Sequence, residues 1–503
     1  MRGRYRQTWQ CLSVIWLLFS LSSPAADTTA AETLSAKQVR EDFTELYQTL
    51  QAAHANLYAH QSKAEYDALY KRMLESFTKP LTRTETEIAF QRFVAFGRVA
   101  HARIDGLQIR FGSYRQQGGR ALPIGVRIQD GAVWIADNYS GDSAIQRGDQ
   151  LLALNGMPVA DVLQRVAVHV SADTDYLLHT MLELWFPALI WQEFGPLPNF
   201  QLTLQRDQQK PHVVQLAAKT RTEAQTFASQ QAPVLALDWD QREARIIAPL
   251  AEQGNAIGYL RPGPFYNNEA GATDVWDNRA FIEFIDRSFK QFIDAGVPAV
   301  LIDLRDNPGG DNSFSDHMLN WFADKPYRFT SDFRIRVSAA TTASNARRMQ
   351  ASESAAGDIS RRFAELYSKH QPGDMVSYEF PFNTPKASPR YHGDVFLLIN
   401  RRSYSNTVLV AAIAQDYGFA TVIGEETADL ATTYGAMEQF TLTHSGLTVG
   451  YPKALIIRPS GDKTIRGVQP DWPIPTPIIE AENDPVQQLA LEHIRRRLAQ
   501  NEH

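Results

Sequence analysis

Two stretches in the C-terminal half restrict the fold more than any other feature. "AVLIDLRDNPGGDN", residues 299–312, and "DVFLLINRRSYSNTVLVAAIAQDYG", residues 394–418, each begin with a short, almost wholly apolar run that ends in a polar turn. Such runs read as strands buried on both faces. In the second stretch the turn leads directly into an apolar helix. "AIGYLRPGPF" (256–265) adds an earlier strand, "DNRAFIEFIDRSFKQFIDAG" (277–296) a helix with Phe281, Phe284, Ile285, Phe289 and Phe292 on one face, and "ATVIG" (420–424) a later strand. Strand and helix alternating in this way predict a mainly parallel sheet flanked by helices. Sites in such sheets gather at the carboxyl ends of the strands.

Upstream the texture differs. Val39, Phe43, Leu46, Leu50, Ala53 and Leu57 recur at steps of four and three and predict an amphipathic helix over 35–60. Further helices are expected over 63–77 and within "LTRTETEIAFQRFVAFGRVAHARI" (81–104), with His101 just past the last of them. From about Gly112 to Ala217 short strands and turns take over, with a hairpin at Asp130–Gly131 and an aromatic helical insertion over 173–198. The stretch 339–389 is charged and helical in part and reads as a mobile excursion over the sheet.

The first residues suggest export. Arg2, Arg4 and Arg6 precede an apolar run from Cys11 to Leu21, and small residues at Ser23 and Ala25 follow, the layout of a signal peptide over 1–25. The whole chain carries a net charge of −6; losing those three arginines makes it −9. A mildly acidic mature chain is a poor fit to nucleic acid or an anionic membrane. Cys11 is the single cysteine, so cleavage leaves no thiol for disulfides, catalysis or metal binding. His54 and His60 lack a third ligand in their neighbourhood, and no metal or cofactor site is expected.

Two turns carry candidate chemistry. "RDNPGG", Arg305 to Gly310, puts consecutive glycines after a buried strand, where backbone N–H groups can face a developing oxyanion. A tight turn needing positive φ explains the same glycines. Ser403 and Ser405 stand where a helix begins. Serine there commonly caps the helix, but the same position suits a nucleophile, with the Asn406 N–H at hand for the oxyanion.

In order and spacing these segments resemble the S41 serine peptidases, the family of the C-terminal processing (tail-specific) and tricorn core peptidases. "VLIDLRDNPGGDN" resembles the family's strand and glycine turn, and "INRRSYSNTVLVAAIAQDYGFATVIGEETAD" its nucleophile segment. "GVQPDWPI" resembles its closing motif, "RGDQLLALNGMPVADVL" its PDZ module, and "HANLYAHQS" and "AHARIDG" its N-terminal region. The resemblance implies an α/β multidomain protein: signal peptide 1–25, N-terminal helical region 26–111, PDZ-like β-rich domain 112–217 with a helical insertion, crotonase-like (ClpP-related) catalytic domain 218–480 and C-terminal helix 481–503. It implies Ser405 as nucleophile and the backbone N–H groups of Gly309, Gly310 and Asn406 as oxyanion hole.

The chain departs from the pattern at the base. The processing peptidases use a lysine about two dozen residues after the serine, and here that region, near Leu430, has none: no lysine lies between Lys386 and Lys453. The tricorn branch uses a histidine from the N-terminal part, and His101 occupies the matching segment. Imidazole suits proton transfer near neutral pH. Where that branch carries a glutamate, this chain has Gln469, which can orient an imidazole without supplying charge; Glu425 and Asp429 are rival orienting residues. The expected activity is hydrolysis of a peptide or unfolded protein through a Ser405 acyl-enzyme, in an exported, periplasmic protein. A catalytically inactive binding protein on the same fold and an acyl hydrolase acting on esters are the alternatives.

Overall fold

The computed structural model describes residues 33–228, 239–249, 255–351, 355–479 and 483–501; the expected signal peptide lies outside them. It is a mixed α/β protein with several sheets. The central sheet has six strands in the order Trp472–Pro473, Thr421–Gly424, Asp394–Ile399, Ala299–Asp303, Ile257–Arg261 and Glu243–Ile247. All neighbours are parallel except the last pair. Every residue of Ile257–Arg261 and Ala299–Asp303 is buried, which is why these strands read as continuous apolar runs rather than alternating ones. Parallel pairing puts three carboxyl ends side by side. The turns after Asp303, Ile399 and Gly424 therefore share one edge of the sheet.

The helix Arg279–Asp294 buries Phe281, Ile285, Phe289 and Phe292 against the sheet, and Phe289 stacks on Trp321 at 5.4 Å. A second, antiparallel sheet runs Met375–Ser377, Asp332–Arg336, Thr448–Ile457, Thr433–Thr441. The segment 339–389 is not an excursion. Phe363 and Tyr367, one helical turn apart, are buried in the main core, and Met375–Ser377 supplies the edge strand. Its charged residues conceal a narrow aromatic stripe.

The N-terminal helices Ala36–Ala53, Lys63–Ser76 and Arg83–Ala95 each begin with a capping box, on Ser35, Ser62 and Thr82. Ser or Thr with Gln or Glu three residues on satisfies two otherwise orphan donors reciprocally. Their apolar faces share a core with Leu442, Leu447, Val449 and Tyr451 of the hairpin Thr433–Ile457, so this region packs onto the C-terminal half. The larger of the two remaining sheets, with Ile124–Gln129, Ala132–Asn138, Gln150–Leu154, Asn199–Gln205 and His212–Ala217, contains the hairpin expected at Asp130–Gly131. The long helix Asp175–Phe194 packs Leu182, Phe186, Leu189 and Ile190 into that sheet's core. No helix among the described residues is long and apolar enough to cross a membrane.

A buried carboxylate helps to tie the N-terminal helices to the hairpin. Asp42 is fully buried and accepts the N–H groups of His444 (2.8 Å) and Ser445 (2.7 Å). Asp42→Ala strands both donors and is expected to lower the free energy of unfolding by about 2–4 kcal/mol. A urea titration measures it; a change below about 0.5 kcal/mol, the size of an ordinary surface substitution, would show that the two Asp42 hydrogen bonds do not hold the hairpin.

Candidate active site

The two serines of the turn after Ile399 have different fates. Ser403 is fully buried; its Oγ donates to the Leu304 carbonyl (2.8 Å) and accepts the Asn400 N–H (3.1 Å). It is a structural pin. Ser405 is half-exposed at the N-terminus of the helix Asn406–Tyr417, makes no side-chain cap, and has φ 55°, ψ −123°. A non-glycine residue in that region costs about 1–3 kcal/mol and persists only where its surroundings enforce it. The enforcing contacts are visible. Asp429 Oδ2 accepts the Ser405 N–H at 2.7 Å, and Tyr404 N–H donates to the Asn307 carbonyl at 3.0 Å.

The glycine turn lies directly against this strained residue. Gly309 has φ 86°, and a Cβ there would sit 2.6 Å from the Tyr404 carbonyl, 2.8 Å from the Asn406 nitrogen and 3.1 Å from Ser405 Cβ. Gly310 has φ 143°, and a Cβ would meet the Phe265 carbonyl at 2.1 Å. Both positions therefore demand glycine for space as well as for conformation. Of the three N–H groups expected in the oxyanion hole, that of Gly309 is already donated to Asn307 Oδ1 at 3.0 Å. Those of Gly310 and Asn406 donate no hydrogen bond among the described residues.

His101 arrives from far away in sequence. A small cluster of Ala100, Ala172 and Ala428 packs with Tyr404. These four residues immediately precede His101, Asp173, Asp429 and Ser405, so the cluster gathers four chemistry-bearing side chains from four separate segments. The His101 ring stacks on Tyr404, centroids 5.6 Å apart and planes 23° from parallel. It is buried, and its Nδ1 has no hydrogen-bond partner. Burial and the Arg103 guanidinium push its pKa down to about 4, against the opposing pull of Asp173 and the Tyr434 carbonyl. Arg103 pairs with Asp105 at 3.2 Å and hydrogen-bonds the Tyr404 side chain. Asp429 moves the other way: burial pushes its carboxyl up to about 7, opposed by the N–H groups of Ser405 and Leu430, with the charge of Asp173 adding to the rise.

The turn that carries Ser405 is also bound from the N-terminal sheet. Arg401 is buried and pairs with Glu183 (2.8 Å) and Glu425 (2.8 Å), and Arg127 reaches Glu425 at 3.0 Å. Ile128 donates its N–H to Glu183 (2.6 Å) and its carbonyl accepts from Arg401 (3.2 Å), so the outer edge of Ile124–Gln129 is closed at this point. Burial alone would raise the Glu425 carboxyl, but Arg401 and Arg127 hold it below the usual range.

Residues 257–474 match the model of Peptidase family S41. They form an S41 domain. Its Ser405, glycine turn and Asp429 lie within the matched residues; His101 and Asp173 lie outside them. Among solved structures, mature CPAF complexed with lactacystin superposes with a TM-score of 0.66 at 16% identity, over 92% of this chain and 98% of that one. Mature CPAF gives 0.64 at 15% identity, over 92% and 97%. At such identities the likeness is one of fold. No curated protein sequence matches this one.

Within the S41 domain the structure treats the three candidate orienting residues differently. Glu425 is committed to the arginine network. The Gln469 carbonyl accepts from Gln415 Nε2 at 2.8 Å. Gln415 lies nine residues along the serine helix from Asn406, roughly 13 Å of helix rise. The backbone of Gln469 is thus held to that helix, while the preceding Val468 exchanges hydrogen bonds with Thr427. Asp429 alone of the three touches Ser405. Sequence reasoning missed Asp173 and Tyr404. Tyr404 was legible only as the residue before the serine, and nothing in "SADTD" (171–175) marks Asp173.

The Asp429 carboxyl generates a prediction. A carboxyl raised from 3.8 to about 7 favours folding most below its ordinary value and loses that contribution as pH rises through about 7. Relative to the parent, Asp429→Asn is therefore expected to gain about 1–3 kcal/mol of stability between pH 5 and pH 8. Chemical denaturation at the two pH values measures the difference; a pH-independent difference would mean that Asp429 is ionised throughout.

Proposed function

We propose that the protein is an exported serine peptidase in which Ser405 attacks a peptide carbonyl and His101 takes its proton. The observation that carries the reading is the Ser405 backbone: a strained, half-exposed serine at a helix N-terminus, packed on Gly309 and flanked by two N–H groups without acceptors. In this reading those donors, on Gly310 and Asn406, receive the oxyanion formed at Ser405, and fixed donors of this kind supply much of the catalysis in acyl transfer. Position at the first turn of a helix adds a favourable potential for negative charge.

His101 is the base the cluster supports. With a pKa near 4 it is neutral at the pH of most compartments and free to accept the Ser405 proton. The proton then passes to the leaving amine, and water repeats the cycle on the acyl-enzyme. Asp429 holds the nucleophile's backbone, and the proposal gives Gln469 no part in the chemistry. The substrate class is a peptide or unfolded protein, the tail-specific type being the narrower expectation, and the compartment is the periplasm, on the signal-peptide layout of residues 1–25. The PDZ-like reading of 112–217 and the crotonase-like reading of 218–480 belong to the same proposal. A peptide strand adding to Ile124–Gln129 would have to displace Glu183 and Arg401 at Ile128, so docking by strand addition at that point is disfavoured.

Incubation with a diverse peptide pool and one unfolded protein, read by mass spectrometry, tests the reading. The parent is expected to cut, while Ser405→Ala and His101→Ala lose at least about 10³-fold in rate and remain folded. Cuts that persist at full rate in His101→Ala would assign the base elsewhere. A folded parent that cuts nothing would move the reading to a binding protein.

A further inference from the structure

We propose that Asp173, from the loop entering the long helix Asp175–Phe194, is the positioning carboxylate of His101 and replaces the charge that Gln469 cannot supply. The inference rests on the Ser405/His101 reading above.

Placement is the first argument. The Asp173 side chain is 1% exposed. Its Oδ2 accepts the Ala100 N–H at 3.0 Å, which fixes the carboxylate to the backbone one residue before His101. Its Oδ1 faces His60 Nε2 at 3.1 Å. The alanine cluster that packs Ala172 on Ala100 also includes Ala428 and carries Tyr404, so the same contacts that assemble Ser405 with His101 bring Asp173 beside them.

Electrostatic balance is the second. Four groups act on the imidazole: Arg103 on its own segment, the Tyr404 ring from the nucleophile turn, the Tyr434 carbonyl from the hairpin, and Asp173. Arg103 opposes the imidazolium that forms when His101 takes the Ser405 proton. Asp173 is the one carboxylate among the described residues that favours it. Around Asp173 itself stand His60, the Ala100 N–H, the Asp429 carboxyl and the Tyr404 hydroxyl. A carboxylate this deep, with one N–H and one imidazole as hydrogen-bond partners, is costly to bury unless its charge is used. Stabilising the imidazolium at the moment of attack uses it, as the buried acid of a Ser-His-Asp triad does. The acid here reaches the histidine from a loop outside the S41 domain rather than from its closing motif.

A histidine titration followed by NMR, on the full chain labelled with ¹³C at histidine, tests this without needing turnover. His101 is assigned by its loss in His101→Gln. Asp173→Asn keeps an acceptor for the Ala100 N–H and removes the charge; it is expected to lower the His101 midpoint by at least about 0.5 pH unit. In parallel, kcat on a cleaved peptide is expected to fall at least about tenfold, with KM within about twofold, and Asp173→Glu to recover part of the loss. Asp173→Ser serves as the uncharged variant if Asn at this position does not fold. An unchanged His101 midpoint in a folded, uncharged variant overturns the proposal while leaving Ser405-dependent cleavage intact. A lowered midpoint in a chain that shows no Ser405-dependent cleavage supports the Asp173–His101 coupling and overturns the peptidase reading instead.

Discussion

The backbone of Ser405 is the constraint on which the rest of the site depends. A serine held at φ 55° returns to an ordinary conformation unless its neighbours forbid it. Here the neighbours come from three strand ends of one parallel sheet. The turn after Ala299–Asp303 brings Gly309 within contact of Ser405, the turn after Asp394–Ile399 carries Ser405 itself, and the segment after Thr421–Gly424 brings Asp429 to its N–H. Parallel pairing makes those three ends coincide, and together they hold the strained backbone in place. The strain in turn aims Oγ away from capping its own helix.

The S41 domain does not complete the site alone. His101 and Asp173 come from outside residues 257–474, and three kinds of contact attach them. The alanine cluster is apolar and local. The arginine network of Arg401, Arg127, Glu183 and Glu425 is ionic, buried and centred four residues before Ser405. Asp42 secures the N-terminal helices to the hairpin Thr433–Ile457, whose Tyr434 carbonyl faces His101. Buried ion pairs contribute little net stability compared with apolar packing. Their value here is geometric, since each member fixes the direction of another.

Much of this was legible in the sequence, for identifiable reasons. Continuous apolar runs marked the central strands because both faces are buried, and the four-and-three spacing marked the first helix. The order of the motifs singled out Ser405 over Ser403, and the structure places Ser403 in the core with its hydroxyl consumed. Other features depended on side chains that sequence spacing does not locate. Asn307 turns back onto the Gly309 N–H and removes it from the set of free donors. The segment 339–389 hides Phe363 and Tyr367 among charges, so composition misread it. Asp173 lies 72 residues from His101 in the chain, and tertiary contacts, the alanine cluster and the Ala100 N–H among them, bring them together.

The most direct test of the account is covalent labelling with a fluorophosphonate, which reacts with an activated serine and leaves an ordinary surface hydroxyl alone. Intact-mass measurement followed by peptide mapping reads both the stoichiometry and the position. One adduct per chain on Ser405, strongly slowed in His101→Ala and in Gly309→Ala, is the result the account predicts. An adduct on another serine, or none on a folded chain, would contradict it.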